Sequence, residues 1–208
     1  ITLAKKLIDE AKFAGADAVK FQTFKTEDFL SKNFDIKERK KYELTNNELE
    51  HLFEVAKKLK LNFFSTPFDL DSVDVLSDIG VELFKISSGD INNWPLIKKI
   101  ISKQKPVIFS TGCSNIDEIN ATYNLFKKEK INQLGILHCV SSYPTEISDM
   151  NLENIKMLKS LFNDVTVGIS DHTQNISVIP SISYSFGARI FEKHFTIDNS
   201  LEGYDHKM

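Results

Sequence analysis

The chain has 208 residues, 41% of them hydrophobic, which is enough to bury a core and excludes disorder as the default. Lys and Arg total 26 against 29 Asp and Glu, a formal charge of −3 without the basic surplus that phosphate-backbone binding demands, so nucleic acid is not an expected partner. Two cysteines, Cys113 and Cys139, are too few for a disulfide framework and form no CxxC or Cys/His cluster, so a reducing, cytoplasmic setting and no structural zinc are expected.

Residues 1–14 (ITLAKKLIDEAKFA) read as an amphipathic helix without signal-peptide architecture. The opening Ile1 and the charged close LEGYDHKM mark the chain as a fragment at both ends. Short apolar or β-branched runs follow at 16–23 (ADAVKFQT), 61–66 (LNFFST), 81–88 (VELFKISS), 106–112 (PVIFSTG), 134–140 (LGILHCV), 166–172 (TVGISDH) and 188–196 (ARIFEKHFT). Amphipathic stretches at 47–59, 69–79, 95–103, 115–128, 152–161 and 176–186 lie between them, each long enough for a crossover helix. The last is the longest apolar stretch near the C-terminus, but Pro180 and several serines interrupt it. It falls short of the ~20 residues a bilayer span needs, so no membrane association is expected.

The alternation predicts an α/β fold with a parallel sheet, in one domain over residues 1–208. Gly15, Gly80 and Gly187 sit just before three of the runs, where a helix ending in the left-handed conformation favours glycine. Strand spacing suits a barrel and a doubly wound sheet equally. The absence of GxGxxG after the first strand favours the barrel. Seven strands led by a helix are what a (β/α)8 TIM barrel looks like without its first strand. The insertion at 24–44 is longer than most βα loops, and such loops usually belong to the site.

A barrel gathers its chemistry at the C-terminal strand ends. Polar groups accumulate at every one: Lys20 and Gln22; Ser65 and Thr66; Lys85, Ser87 and Ser88; Ser110 and Thr111; Ser141 and Ser142; Ser170 and His172; Glu192 and His194. Alternation with period two puts Ser170 and His172 on one face of their strand, and Glu192 and His194 on one face of the next. Two histidines at the same end of adjacent strands can bind one metal ion, and a pair of packed core histidines is the alternative. His138 falls on the opposite face from Cys139 and reads as a packed residue, and His51 reads as solvated on a helix. Lys20 and Lys85 interrupt apolar strands, where an unpaired ammonium is costly. With small hydroxyls around them they suit a phosphorylated, carboxylated small substrate.

VKFQT, FSTPFD, FKISSGDINNWPLI, FSTG, LHCVSSYPTE, the pair Asn151-Leu152, GISDHT, EKHFT and EGYDH occur in that order over nearly the whole chain. Together they resemble the sialic acid synthase family, which includes N-acetylneuraminate and legionaminic acid synthases. The resemblance implies a (β/α)8 barrel that condenses phosphoenolpyruvate with an N-acylated mannosamine-type hexosamine, giving a nine-carbon 2-keto acid and phosphate. It implies His172 and His194 as ligands of a divalent ion, usually manganese, with magnesium or cobalt as alternatives. It implies Lys20, Thr66, Lys85, Ser88, Ser110 and Ser170 as the phosphoenolpyruvate site, and Ser141 where some members carry an asparagine that touches it. Gln22, Tyr143 and Asp205 would face the sugar, with Lys20, Lys85 and Asp205 in catalytic roles and Glu192 among the substrate-binding groups.

The family's first strand, with an AEIGxNHxG-like motif, and its small C-terminal antifreeze-like domain have no counterpart here, and Tyr204 stands where many members have proline. A homodimer is expected of the full-length protein. Two other readings remain at this level: a related phosphoenolpyruvate-aldose condensing enzyme of capsule or spore-coat polysaccharide synthesis, and a truncated, non-catalytic ligand-binding barrel.

Overall fold

A computed structural model describes residues 1–30 and 36–207. Seven strands are present among the described residues: β1 (Ala18–Thr23), β2 (Asn62–Pro67), β3 (Phe84–Ile86), β4 (Val107–Ser110), β5 (Leu134–Cys139), β6 (Thr166–Asp171) and β7 (Ile190–Lys193). The strand order follows the chain order, and the registered pairs are parallel. Helices separate them: α1 (Thr2–Phe13), α2 (Thr26–Phe29), α3 (Ile36–Lys40), α4 (Asn46–Lys58), α5 (Leu70–Ile79), α6 (Trp94–Ile101), α7 (Ile116–Lys128), α8 (Glu153–Leu161) and α9 (Val178–Ser185). Parallel strands taken in chain order with helical crossovers are the (β/α) barrel arrangement. A doubly wound sheet would reverse its order at a switch point.

The chain divides into two compact units, one of Ile1–Lys85 with Asn93–Lys105, the other of Ile86–Asn92 with Pro106–Met208. In the first, Phe21 and Phe63 stack across β1 and β2 with centroids 5.1 Å apart, and Phe53 of α4 meets Phe63 edge-on at 5.8 Å. That contact identifies the helix-facing side of these strands. Leu49, Leu52 and Ala56 of α4 and Val73 and Leu76 of α5 are fully buried. The start of α4 is fixed by a capping box in which Thr45 and Glu48 bond each other's backbone. Gly80 closes α5 with φ 98°, and Gly15 and Gly187 are also left-handed, as the sequence predicts. The predicted 24–44 insertion carries α2 and α3, and its residues 31–35 lie outside the described residues. Arg39 of α3 lies 4.8 Å from both the Phe24 and Phe29 ring centroids, and Glu43 accepts from the Thr26 amide and hydroxyl at 2.9 and 2.7 Å.

In the second unit Phe109 of β4 stacks on Phe126 of α7 at 6.1 Å, which marks the helix-facing side there. Phe126, Ile155, Leu158 and Phe162 fill that layer. Each such side chain contributes roughly 1.5–3 kcal/mol of burial. Among the described residues no helix is long and apolar enough to cross a membrane.

Three strands are markedly shorter than expected, among them β4, which covers only Val107–Ser110 of the run at 106–112. The run at 81–88 forms β3 only over Phe84–Ile86, because Ser87 bonds Asp90 at 2.5 Å and the chain turns into a 3₁₀ segment. The run at 188–196 forms β7 only over Ile190–Lys193, so His194 lies one residue past its strand, as His172 lies one past β6.

Candidate functional site

Register sorts the polar groups of the first unit. Phe21 aligns with Ser65 and Gln22 with Thr66, so Phe21, Thr23, Phe63 and Ser65 face the helices while Lys20, Gln22, Phe64 and Thr66 occupy the other side. Ser65 spends its hydroxyl on Thr23 at 2.8 Å in the helix-facing layer. Phe84 aligns with Ser65, which turns Lys85 to the side of Thr66. The four predicted residues of this unit, Lys20, Gln22, Thr66 and Lys85, therefore share one face. Lys85 is 2% exposed and Thr66 is buried, whereas Lys20 and Gln22 are half-buried.

The second unit repeats the logic. Ser110, Leu137, Gly168 and Ile190 form one cross-strand row, and Cys139, Ser170 and Glu192 the row above it, both on the side opposite Phe109. Ser170 donates to Glu192 Oε1 at 2.8 Å, so these two predicted residues form a unit. Gly112, just past β4, donates its amide to Ser88 Oγ at 2.9 Å. A Cβ on Gly112 would sit 2.5 Å from Ser141 Oγ, 2.9 Å from Cys139 Sγ and 3.1 Å from Ser88 Oγ. Ser88 and Ser141 thus crowd one stretch of backbone, and Cys113 Sγ donates to Ser141 at 3.2 Å.

Past the ends of β6 and β7 the imidazoles of His172 and His194 lie 5.2 Å apart between centroids, at 58°. His172 is buried, and its Nδ1 is 2.8 Å from the Val140 carbonyl, with Cys139 Sγ at 3.8 Å. A carbonyl only accepts, so Nδ1 carries the proton and Nε2 the lone pair. His194 Nδ1 faces Asp205 Oδ1 at 3.3 Å, which favours the same tautomer. Asp205, expected to face a sugar, thus lies against a histidine, with its side chain 59% exposed. The Tyr143 ring lies 4.2 Å from that of His172 and 6.0 Å from that of His194. Burial, followed by the nearby Cys139 and Cys113 thiols, pushes its phenol up to about 12, so it remains a hydrogen-bond donor at neutral pH.

This donor set fits a divalent ion held at an open site. Two imidazoles with paired Nδ1 atoms present Nε2 as metal-binding nitrogens. Among the described residues no group of three or more His, Cys, Asp or Glu gathers to enclose an ion. An ion here would keep positions open for water or substrate.

His138 stands apart from this site. It is buried and its Nε2 bonds the Met150 carbonyl at 2.6 Å. Burial holds its pKa below the ordinary value, against the opposing pull of that carbonyl, so it is a packed neutral histidine. His51 is exposed on α4. Sequence reasoning missed the Val140 carbonyl and the Gly112 amide, which are backbone groups without a side-chain signature. It also missed the Asp171–Lys193 ion pair at 2.9 Å, whose only signal was two charged residues at matching positions before the two histidines.

Comparison with known proteins places this arrangement in a family. The NeuB family model matches residues 7–208. An uncharacterised protein of Methanocaldococcus jannaschii is 46% identical over the whole chain, which covers 61% of that relative. The N,N'-diacetyllegionaminic acid synthase of Campylobacter jejuni is 40% identical over the whole chain, which covers 66% of it. The chain thus spans somewhat less than two thirds of the length of these curated relatives. The crystal structure of the N-acetylneuraminic acid synthetase of Leptospira borgpetersenii in complex with citrate superposes with a TM-score of 0.94 at 39% identity, over 99% of this chain and 71% of that one. The chain belongs to the NeuB family.

Proposed function

We propose that the protein of which this chain is part condenses phosphoenolpyruvate with an N-acylmannosamine-type aldose and water, giving a nine-carbon 2-keto sugar acid and inorganic phosphate. The observation that carries the reading is the His172–His194 pair, two imidazoles with centroids 5.2 Å apart and both Nδ1 atoms engaged. A divalent ion bound there, manganese first among candidates, supplies Lewis-acid polarisation of the open-chain aldehyde oxygen.

The chain's own residues do the rest. Lys20 and Lys85 are lysines on one face and suit an enol phosphate that keeps its charge throughout, with Thr66 as a hydroxyl donor. Ser88, Ser110, Ser141 and Ser170 are small donors of the second unit. C3 of the enol phosphate forms the new bond to the aldehyde carbon, and C2 becomes electron-poor. Water adds at C2, and the tetrahedral carbon expels phosphate by C–O cleavage. Gln22 and the protonated Tyr143 offer hydrogen bonds to sugar hydroxyls, and Glu192 and Asp205 are carboxylates placed to orient a hydroxyl or take a proton. Similarity to an N,N'-diacetyllegionaminic acid synthase and an N-acetylneuraminic acid synthetase, both of which make N-acylated sugar acids, supports an N-acylated sugar.

The full-length protein is tested by following phosphate release from phosphoenolpyruvate against a panel of N-acylated hexosamines with added manganese. Release that depends on an N-acylmannosamine-type sugar, with matching 2-keto acid by mass spectrometry, is expected. Release without any aldose, or none with every sugar, overturns it.

A further inference from the structure

Asp171 and Lys193 are the last residues of β6 and β7 and stand opposite each other in the parallel register. Each immediately precedes one of the paired histidines. Period two turns both side chains away from Ser170 and Glu192, onto the face shared with Val167, Ile169 and Phe191. Asp171 Oδ2 accepts from Lys193 Nζ at 2.9 Å, and Lys193 Nζ also donates to the Thr173 carbonyl at 2.5 Å. Asp171 Oδ1 accepts from the Thr173 amide at 2.8 Å. The residues on both sides of His172 are thereby tied to the residue before His194. From the other side, the Thr145 amide donates to the His172 carbonyl at 2.9 Å and Val140 holds Nδ1.

We infer that Asp171 and Lys193 are positioning residues for the metal site, fixing the separation and tilt of the His172 and His194 imidazoles from the opposite face of the sheet. Stability alone is a poor reason for a charge pair here. The Asp171 side chain is 2% exposed and that of Lys193 27%, and a charge pair with a buried member is often matched or bettered by packed hydrocarbon. A carboxylate and an ammonium that also bond Thr173 offer direction and distance, which hydrocarbon does not. A shift of either strand end would change the 5.2 Å separation and 58° tilt of the two rings. The inference rests on the metal reading proposed above.

The test uses the full-length protein with Lys193→Met, Lys193→Arg and the double variant Asp171→Asn/Lys193→Met. The double variant leaves no lone buried carboxylate, so it keeps the fold testable by circular dichroism. Manganese affinity is read from the electron paramagnetic resonance signal of free Mn²⁺, and kcat and KM from phosphate release. The expected result is Mn²⁺ binding weakened about tenfold or more in Lys193→Met and in the double variant, as for other residues that orient metal ligands. We expect kcat to fall at saturating metal, KM for phosphoenolpyruvate to hold, and Lys193→Arg to recover much of both losses. A folded double variant with wild-type Mn²⁺ affinity and kcat overturns the inference while leaving the metal reading intact. A wild-type protein that binds no Mn²⁺, or binds it equally well as His172→Ala, overturns the metal reading and the inference with it.

Discussion

Ser170 and Glu192 face each other across β6 and β7, and the serine hydroxyl is committed to the glutamate carboxylate at 2.8 Å. An anion reaching Ser170 must therefore compete with Glu192 for one proton. Ser170→Ala is expected to raise KM for phosphoenolpyruvate modestly, because one neutral donor is lost. Glu192→Gln removes the charge but keeps an acceptor. It is expected to leave the melting temperature near wild type while lowering kcat by about 10²-fold, the usual scale for a positioned acid or base. Steady-state kinetics on both variants checks this, and an unchanged kcat for Glu192→Gln assigns the carboxylate to structure alone.

Lys85 is a nearly fully buried lysine on the same face as Lys20 and Thr66. If it serves a phosphate, Lys85→Met should lower kcat/KM for phosphoenolpyruvate by roughly 10²–10³-fold, as when a preorganised charge-stabilising donor is lost. Lys85→Arg should recover little, since a planar fork does not replace a compact point charge at a buried position. Calorimetric binding of phosphoenolpyruvate to Lys85→Met separates loss of binding from loss of turnover.

Gly112 and Gly89 make a matched pair. A methyl group on Gly112 would collide with Ser141 and Cys139, while one on Gly89 meets nothing closer than Ser87 Oγ at 4.0 Å. Gly112→Ala should cost about 1–3 kcal/mol by overpacking. In a domain of this size each kcal/mol lowers the melting temperature by about 2–4 °C. It should also weaken phosphoenolpyruvate binding by displacing Ser88 and Ser141. Gly89→Ala should be close to neutral in a thermal melt.

His138 predicts a pH dependence of stability. Its folded pKa lies below the ordinary 6.5, so between those values the unfolded chain binds a proton that the folded chain does not. Stability is fully present above about 6.5 and drains as pH falls through the folded value, at no more than about 1.4 kcal/mol per pH unit. His138→Gln keeps a donor for the Met150 carbonyl and cannot titrate. Urea unfolding at pH 7.5 and pH 5 should show a smaller loss in the variant than in wild type.

Much of the site was legible because strands alternate strictly. Lys20, Gln22, Thr66 and Lys85 fall on one face by parity, as do Ser170 and Glu192, and a polar residue in an apolar run is conspicuous. Strand ends were less legible. Ser87 and Ser88 read as a continuing strand, yet the Ser87–Asp90 bond turns the chain into a 3₁₀ segment. The partners of the histidines were hidden for a different reason. Val140 acts through its carbonyl, and Asp205 reaches His194 from eleven residues away through a 3₁₀ segment, which no periodicity encodes.

Phosphoenolpyruvate carrying ¹⁸O in the bridging C–O–P position, incubated with the full-length protein, manganese and an N-acylmannosamine-type sugar, tests the proposed condensation most directly. Condensation at C3 with C–O cleavage at C2 predicts that the released phosphate retains the label. Release should require the sugar and should be lost in His172→Ala. Unlabelled phosphate, or labelled phosphate released at the same rate by His172→Ala, contradicts the account.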